Sequence, residues 1–208
     1  MPTKTAREIE WIGQLIDQYA SSLPPMARTG SAALEEADHG VPPDMWVGEP
    51  NREGSVEWKV LPSTLTVADV SKVESDFGVT FPTPFRAYLL ARFHCFDQIK
   101  SRRHNQVILF PDLPTRDPFR WLRASLQGWK PLLKSGLIPF AEWGDSWGPM
   151  CFDANHRNAD DDWPILWLDH EQIIPLGEEL MGVRSRLSPL EQPLYGSFHE
   201  LAEDVFGK

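Results

Sequence analysis

Cysteine is almost absent from this chain of 208 residues, which contains only two. Cys95 and Cys151 each lie inside an apolar segment, and the sequence contains no Cys-x-x-Cys pair. This pattern argues against a disulfide framework and against a structural zinc site, which needs closely spaced ligands. We therefore expect two buried free thiols, as is usual for a protein of the reducing cytosol.

Long hydrophobic runs are also lacking. No apolar stretch approaches the roughly 18 residues that a membrane-spanning helix requires. The first residues, MPTKTAREIEWIGQLIDQY, mix charged and apolar side chains and contain no apolar core of a secretory signal. These two observations predict a cytoplasmic protein with no membrane partner.

Basic residues are outnumbered, since 20 Lys and Arg stand against 30 Asp and Glu and give a net charge of −10. Affinity for phosphate groups comes mainly from Lys and Arg, so this balance argues against a nucleic-acid partner. The charge is also uneven: residues 142–171 contain eight acids and one base, whereas residues 92–134 contain nine bases and three acids. This pattern has two interpretations. The two segments form functional surfaces of opposite charge, or each is simply a solvated face.

Recognisable catalytic motifs are missing as well. The chain has no Gly-x-Ser-x-Gly, His-Glu-x-x-His or phosphate-binding loop pattern. The Asp-His-Glu triplet at 169–171 admits an acid–base interpretation, but a turn is the simpler interpretation of His170 because no nucleophile accompanies it. The aspartate run at 160–162 lacks the alternating ligands of a calcium loop. Its remaining interpretations are contact with a partner and plain solvated charge. We expect no enzyme activity, no catalytic or metal-binding residue and no cofactor.

The N-terminal part of the chain predicts one helix and little other regular structure. Residues 6–19 place five apolar side chains on one helical stripe. Residues 21–55 are rich in Pro and Gly, which interrupt long elements, and residues 56–61 have the composition of a short strand. We assign residues 1–60 to an N-terminal extension and residues 61–208 to an α+β domain, in a single compact unit overall.

Capping signals define the helices of the α+β domain. Thr66 with Asp69 forms a capping-box pattern at the start of a helix that Gly78 would end. Thr83, followed by a proline, is expected to cap a second helix. A basic amphipathic helix is expected over 118–135. Ser197 and Glu200 form a full capping-box pattern, which predicts a last helix that runs through Phe206.

Strand patterns lie between these helices. The segment 165–168 is apolar on both faces, which is typical of a strand inside a sheet. Helices flanking a meander of short strands favour an α+β fold with a mostly antiparallel sheet. The strands are expected at 106–110, 137–142, 150–152 and 165–168.

The order of these motifs resembles the SUKH superfamily, the Smi/Knr-like domain of fungal cell-wall regulators and many bacterial immunity proteins. Four pieces carry the resemblance: the helix pair VSKVESDFGVTFPTPFRAYLLARF, the strand LIPFA, the strand pair MCFDA and ILWLDHE, and the helix start SFHELA. They fall within residues 66–206. The chain departs from the family at residues 93–96, where Phe-His-Cys-Phe replaces the usual Asn-Gly-Gly, and at an insertion over 97–136.

The resemblance implies an immunity protein that binds a cognate toxin domain, often a nuclease. Nucleases are basic because they attract phosphates, so an acidic surface would steer onto them and block their substrate cleft. The alternative is an intracellular scaffold that binds other proteins, as the fungal regulators do. The sequence leaves the identity and activity of the toxin and the oligomeric state open.

The segment from Leu137 to Glu171 is the expected contact surface, because it combines four tryptophans with most of the net negative charge. The basic stretch 100–123 is the competing surface. Replacing the aspartates at 160–162 together by Asn is expected to slow association and leave the fold intact. The predicted contact residues are Asp145, Trp147, Asp153, Asp160, Asp161, Asp162, Asp169 and Glu171.

Overall fold

A computed structural model describes residues 3–33 and 40–207 of the chain. The helices come both as long elements of the inner layer and as short turns of an outer layer. In chain order they are α1 Lys4–Ser22, α2 Val67–Phe77, α3 Thr83–Ala91, α4 Arg120–Gly128, α5 Lys130–Leu133, α6 His170–Ile173, α7 Gly177–Met181, α8 Arg184–Leu187 and α9 Phe198–Phe206.

The strands of the described residues form three separate sheets. They are β1 Thr29–Ser31, β2 Trp46–Val47, β3 Ser55–Trp58, β4 Leu61–Pro62, β5 Arg92–Phe93, β6 Gln98–Lys100, β7 Val107–Leu109, β8 Leu137–Trp143, β9 Gly148–Asp153, β10 Ile165–Trp167 and β11 Gln192–Tyr195. A six-stranded sheet has the order β11-β10-β9-β8-β7-β6, and every neighbouring pair in it is antiparallel. The predicted α+β class is therefore confirmed, and the segments at 137–142, 150–152 and 165–168 share this sheet.

The capping signals place α2 correctly but predict the start of α3 less well. The Thr66 hydroxyl accepts from the Asp69 backbone N–H, the Asp69 carboxylate accepts in return, and Gly78 ends the helix at φ 67°. Thr83 is the first residue inside α3 and not its cap. Its hydroxyl instead donates to the carboxylate of Asp161 at 2.6 Å. A tertiary contact with a distant loop therefore replaces the capping hydrogen bond that the local sequence predicted.

Two other helices also differ from expectation. The helix predicted over 118–135 is divided into α4 and α5 around Trp129, because Pro131 lacks the backbone N–H that a continuous helix needs. At the start of α9, Ser197 accepts from the Glu200 N–H as predicted. The return arm differs, since the Glu200 carboxylate accepts from Gly196 one residue earlier.

The six-stranded sheet carries helices on both faces. Its inner face packs Phe140, Phe152 and Ile165 into one apolar cluster with Phe85 of α3 and Phe198 of α9. Its outer face belongs to a second cluster, covered by α5 to α8. The buried members of that second cluster are Leu132, Leu137, Cys151, Leu166, Leu168, Ile173, Met181 and Leu187. The prediction that residues 165–168 are apolar on both faces is thus explained by a strand between two helical layers.

The first helix belongs to the inner layer. Ile12 and Ile16 of α1 are fully buried in the same apolar cluster as Phe85. Arg92 holds the helix from its outer side, donating to both carboxylate oxygens of Asp17 at 2.9 and 2.7 Å. The extension assigned to residues 1–60 therefore shares its core with the α+β domain.

Candidate partner-binding surface

The tip of the β8–β9 hairpin is built on residues with left-handed backbone. Gly144, Ser146 and Gly148 have φ of 63°, 62° and 146°. Glycine is required at 148 because an added Cβ would lie 2.0 Å from the backbone oxygen of Leu168. This close approach lets the hairpin lie directly against the chain that enters α6.

Hydrogen bonds fix this tip to the start of α6. The backbone N–H of His170 donates to the Trp147 carbonyl at 2.9 Å, and the His170 Nδ1–H donates to the Ser146 carbonyl at 2.8 Å. Asp169 caps α6 by accepting from the Glu171 N–H at 2.9 Å. His170 is thus a positioning residue of a turn, and it has no acid–base partner among the described side chains.

An exposed tryptophan stands on this rigid base among carboxylates. The Trp147 side chain is 47% exposed although it covers Gly144, whose added Cβ would meet the indole at 2.5 Å. Asp145 and Glu171 are exposed beside it, and Asp169 is half-buried. We define Asp145, Trp147, Asp169 and Glu171 as the hairpin-tip surface. An exposed indole in a segment that also exposes carboxylates suits contact with a basic protein surface.

The predicted acidic surface is divided between two ends of the sheet. Trp143 pairs with Gly148 at the hairpin tip, whereas Leu137 pairs with Asp153 at the other end. The strand β9 rises about 3.3 Å per residue from Gly148 to Asp153, so the two ends lie about 17 Å apart. The carboxylates at 153–162 therefore do not join those at 145 and 169–171 in one continuous patch.

Asp153 is an internal ion-pair partner, and its prediction as a contact residue is not supported by its position. The residue is 4% exposed, and Arg184 donates to both of its oxygens at 3.1 and 2.6 Å. Burial acts to raise the pKa of Asp153, but hydrogen bonds from Arg184 and His156 outweigh it and leave the pKa below its usual value. Because Arg184 also pairs with Glu191, this network ties the outer helices to β9.

The aspartate run holds three different roles. Asp162 is 2% exposed and accepts from the backbone N–H groups of Phe198 and His199 at 2.6 and 3.1 Å, so it serves the N-terminus of α9. Asp161 is half-buried and accepts from the Thr83 hydroxyl and the Trp163 indole N–H. Among the three, Asp160 alone presents an exposed side chain.

His199 is a residue that motif reading missed. Its Nδ1 lies 2.5 Å from Asp162 and its Nε2 lies 2.8 Å from Glu8 of α1, while the Trp11 ring lies 4.7 Å from its own ring. The hydrogen bond with Asp162 raises the pKa of His199 most, burial opposes it, and Glu8 adds to the rise. In the sequence His199 is only an intervening residue of the capping box. Its partners Glu8 and Asp162 are 191 and 37 residues away, so no local pattern could identify them.

The tryptophans divide between core and surface. Trp143 is 5% exposed, and its ring lies 6.4 Å from that of Trp167. Trp163 is fully buried beneath the guanidinium of Arg157, which lies 4.3 Å from the ring centre. Trp147 is thus the most exposed tryptophan of this segment, and Trp167 is half-buried.

The basic stretch 100–123 is largely committed to internal partners. Arg102 donates to the last carbonyls of α9, those of Glu203 and Asp204. Other bases of the stretch form ion pairs with acids elsewhere in the fold. These pairs are Arg103–Glu200, Arg120–Asp112 and Arg123–Asp76. Three of the six bases in the stretch are thus paired with acids. Among the described residues Lys100, Arg102 and Arg116 form no ion pair and are exposed, so the competing surface predicted from sequence keeps about half of its positive charge.

Buried polar groups inside the fold serve structure. The hydroxyls of Ser101 and Tyr195 donate to the buried Asp204 carboxylate at 2.6 and 2.8 Å. His104 approaches Ser101 only through its backbone N–H, and its ring packs edge-on against Trp143. Serine, histidine and aspartate thus meet here without the imidazole contact that activates a nucleophile.

The thiols are both free, as predicted. Burial raises the pKa of Cys95 to about 12 and also raises the pKa of Cys151, which suppresses the reactive thiolate. Within residues 3–33 and 40–207, no cluster of three potential metal ligands occurs. In that same part of the chain, no helix combines the length and hydropathy needed to cross a membrane.

Comparison with known proteins gives no family assignment. No protein-family model matches the chain, and no curated protein is significantly similar to it.

Proposed function

We propose that this protein is an immunity protein that binds a basic toxin domain through the hairpin-tip surface. The observation that carries the proposal is Trp147, 47% exposed on a hairpin whose backbone is fixed by His170. The resemblance to the SUKH superfamily supports the same function. We place the protein in the cytoplasm, where such a toxin would act.

The hairpin tip has the physical properties of a binding hot spot. Tryptophan is enriched at hot spots because one large side chain buries much area with little loss of rotamer freedom. The Trp147 carbonyl is already bonded to His170, so the backbone loses little entropy when a partner binds. Trp147 would therefore determine how long the complex survives.

The surrounding carboxylates would determine how fast the complex forms. Asp145 and Glu171 are exposed, and they have no ion-pair partner among the described residues. A net charge of −10 adds a long-range field of the same sign. A basic nuclease surface would be drawn to this end of the sheet, and its substrate cleft would be blocked by occlusion without any chemistry from this chain.

The test begins with identification of the partner. The product of the neighbouring gene, or a toxin domain captured from the native host, is purified, and binding kinetics are measured at several salt concentrations. We expect Asp145→Asn with Glu171→Gln to slow association about tenfold at low salt and to flatten its salt dependence. Asp160→Asn, at the opposite end of the sheet, is the matched control and should leave the association rate within about twofold.

The tryptophan is tested separately. Trp147→Ala should raise the dissociation rate about 30-fold, which corresponds to about 2 kcal/mol, and Trp147→Phe should recover part of that loss. Kinetics unchanged in both tip variants but altered in Arg102→Ala/Arg103→Ala would move the contact to the basic stretch. Capture of other cellular proteins without any toxin would favour the scaffold alternative of the Smi/Knr type.

A further inference from the structure

The outer helical layer contains a groove. It has a volume of about 630 Å³ and runs between the α4–α5 junction and the segment from Ile174 to Met181. Its apolar lining includes Trp129, Ile174 and Met181. Ile174 is 58% exposed, which is unusual for an isoleucine in a layer whose other apolar residues are mostly buried.

The two walls of this groove have opposite charge. One wall carries Lys130 and Lys134, and the other carries Glu178 and Glu179. All four side chains are exposed. Within the described residues none of the four belongs to an ion pair, so the walls do not neutralise each other across the groove.

Such a surface is complementary to itself. A two-fold axis through the groove would place the lysine wall of one copy over the glutamate wall of the other, and the reverse contact would form at the same time. The axis would also bring the two Ile174 side chains toward the centre, where they leave water. Opposite charge on the rim with apolar side chains in the middle is the usual composition of a protein interface.

We propose that the groove lined by Lys130, Lys134, Ile174, Glu178 and Glu179 is an interface between two copies of this chain. The interface uses α5, Ile174 and α7 and includes none of the four hairpin-tip residues.

Charge reversal gives a sharp test of the two-fold arrangement. Sedimentation velocity of the full chain should show a concentration-dependent mass that rises from 23.7 kDa toward twice that value. Lys130→Glu/Lys134→Glu should weaken the dimer at least about tenfold because glutamates would face glutamates. Glu178→Lys/Glu179→Lys should do the same. An equimolar mixture of the two variants should restore the dimer, because every contact then pairs Lys with Glu.

Matched controls separate the interface from effects of net charge. Lys59→Glu/Lys100→Glu makes the same change of charge at exposed lysines outside the groove and should leave dimerisation unchanged. Ile174→Ser should weaken the dimer, whereas Val67→Ser, at a valine of similar exposure on α2, should not. Circular dichroism and thermal unfolding establish that each variant is folded.

Three results would overturn the proposal. The first is a wild-type chain that stays monomeric at its highest soluble concentration. The second is a pair of reversed variants, both folded, that dimerise as well as the wild type. The third is a mixture of those variants that fails to associate although each is folded.

Discussion

The imidazole of His199 connects the last helix of the chain to the first by its contact with Glu8, whose carboxylate lies 2.8 Å from Nε2. The other ring nitrogen faces Asp162 at 2.5 Å. A neutral imidazole has one donor and one acceptor nitrogen, so it can satisfy one of these carboxylates but not both. The geometry therefore assigns a protonated ring, held between α1 and the loop that serves α9.

This contact makes part of the stability depend on pH. The pKa of His199 is raised above its ordinary value of 6.5. A group with a raised folded-state pKa stabilises the fold fully below the unfolded pKa and loses that contribution as pH rises through the folded pKa. We expect the free energy of unfolding of the wild type, relative to His199→Gln, to decrease by about 1 kcal/mol as pH increases from 6 to 9.

Urea unfolding at several pH values, with NMR titration of the His199 ring, measures this effect. The groups that share this site are Lys4, Arg7 and Glu8 from α1, Asp162 from the loop and Glu203 from α9. Histidine is the side-chain type whose ordinary pKa lies within this range, so the imidazole is the group expected to titrate. A wild-type advantage that is constant over pH 6 to 9 would contradict the assignment.

The aspartate run should divide into one structural and one surface residue. Asp162 accepts from three N–H groups at the start of α9 while almost fully buried, so Asp162→Asn should cost about 2–3 kcal/mol of unfolding free energy. Asp160→Asn, at an exposed side chain, should change it by less than about 0.5 kcal/mol. Equilibrium urea denaturation of the two variants measures the difference.

These two variants also test the expectation that Asn at all of positions 160, 161 and 162 leaves the fold intact. For Asp162 the structure leads us to expect the opposite, because an amide can accept with its oxygen but would place an N–H₂ group against donors. Equal stability of the two single variants would contradict the structural role of Asp162.

The two tryptophans that flank the hairpin turn should respond in opposite ways. Trp143→Ala removes a core side chain and should cost about 3–5 kcal/mol of stability. Trp147→Ala should cost less than about 1 kcal/mol of stability, since nearly half of its surface is already exposed. Thermal or urea unfolding distinguishes them, and a large stability loss in Trp147→Ala would argue that its role is structural.

Gly148 should be intolerant of substitution because of the chain beside it. Gly148→Ala would place a methyl group 2.0 Å from the Leu168 backbone oxygen at a φ of 146°, so we expect a loss of roughly 3 kcal/mol or more. Gly54→Ala is the matched control: φ is 75°, no atom lies within 4 Å of its added Cβ, and the cost should be about 1 kcal/mol. Similar losses in the two variants would mean that the hairpin moves away from α6 at little cost.

Local chemistry in the sequence was sufficient for much of the fold. The Thr66–Asp69 box and Gly78 defined α2, because capping depends on residues within one helical turn. Short apolar runs identified β8 to β10 and their common sheet. The single helix predicted over 118–135 was wrong, although the cause of its division at Trp129 is the local effect of Pro131.

Only the tertiary structure decided which charges remain available to a partner. Asp153, Asp160 and Asp162 cannot be distinguished from sequence. In the fold, Asp153 accepts from Arg184, which is 31 residues away, and Asp162 accepts from the N-terminus of α9, which is 36 residues away. The division of the acidic segment between two ends of the sheet follows from the antiparallel pairing of β8 with β9. Charge composition is a property of the sequence, whereas exposure depends on which distant donors the fold brings within hydrogen-bond reach, and that requires the assembled chain.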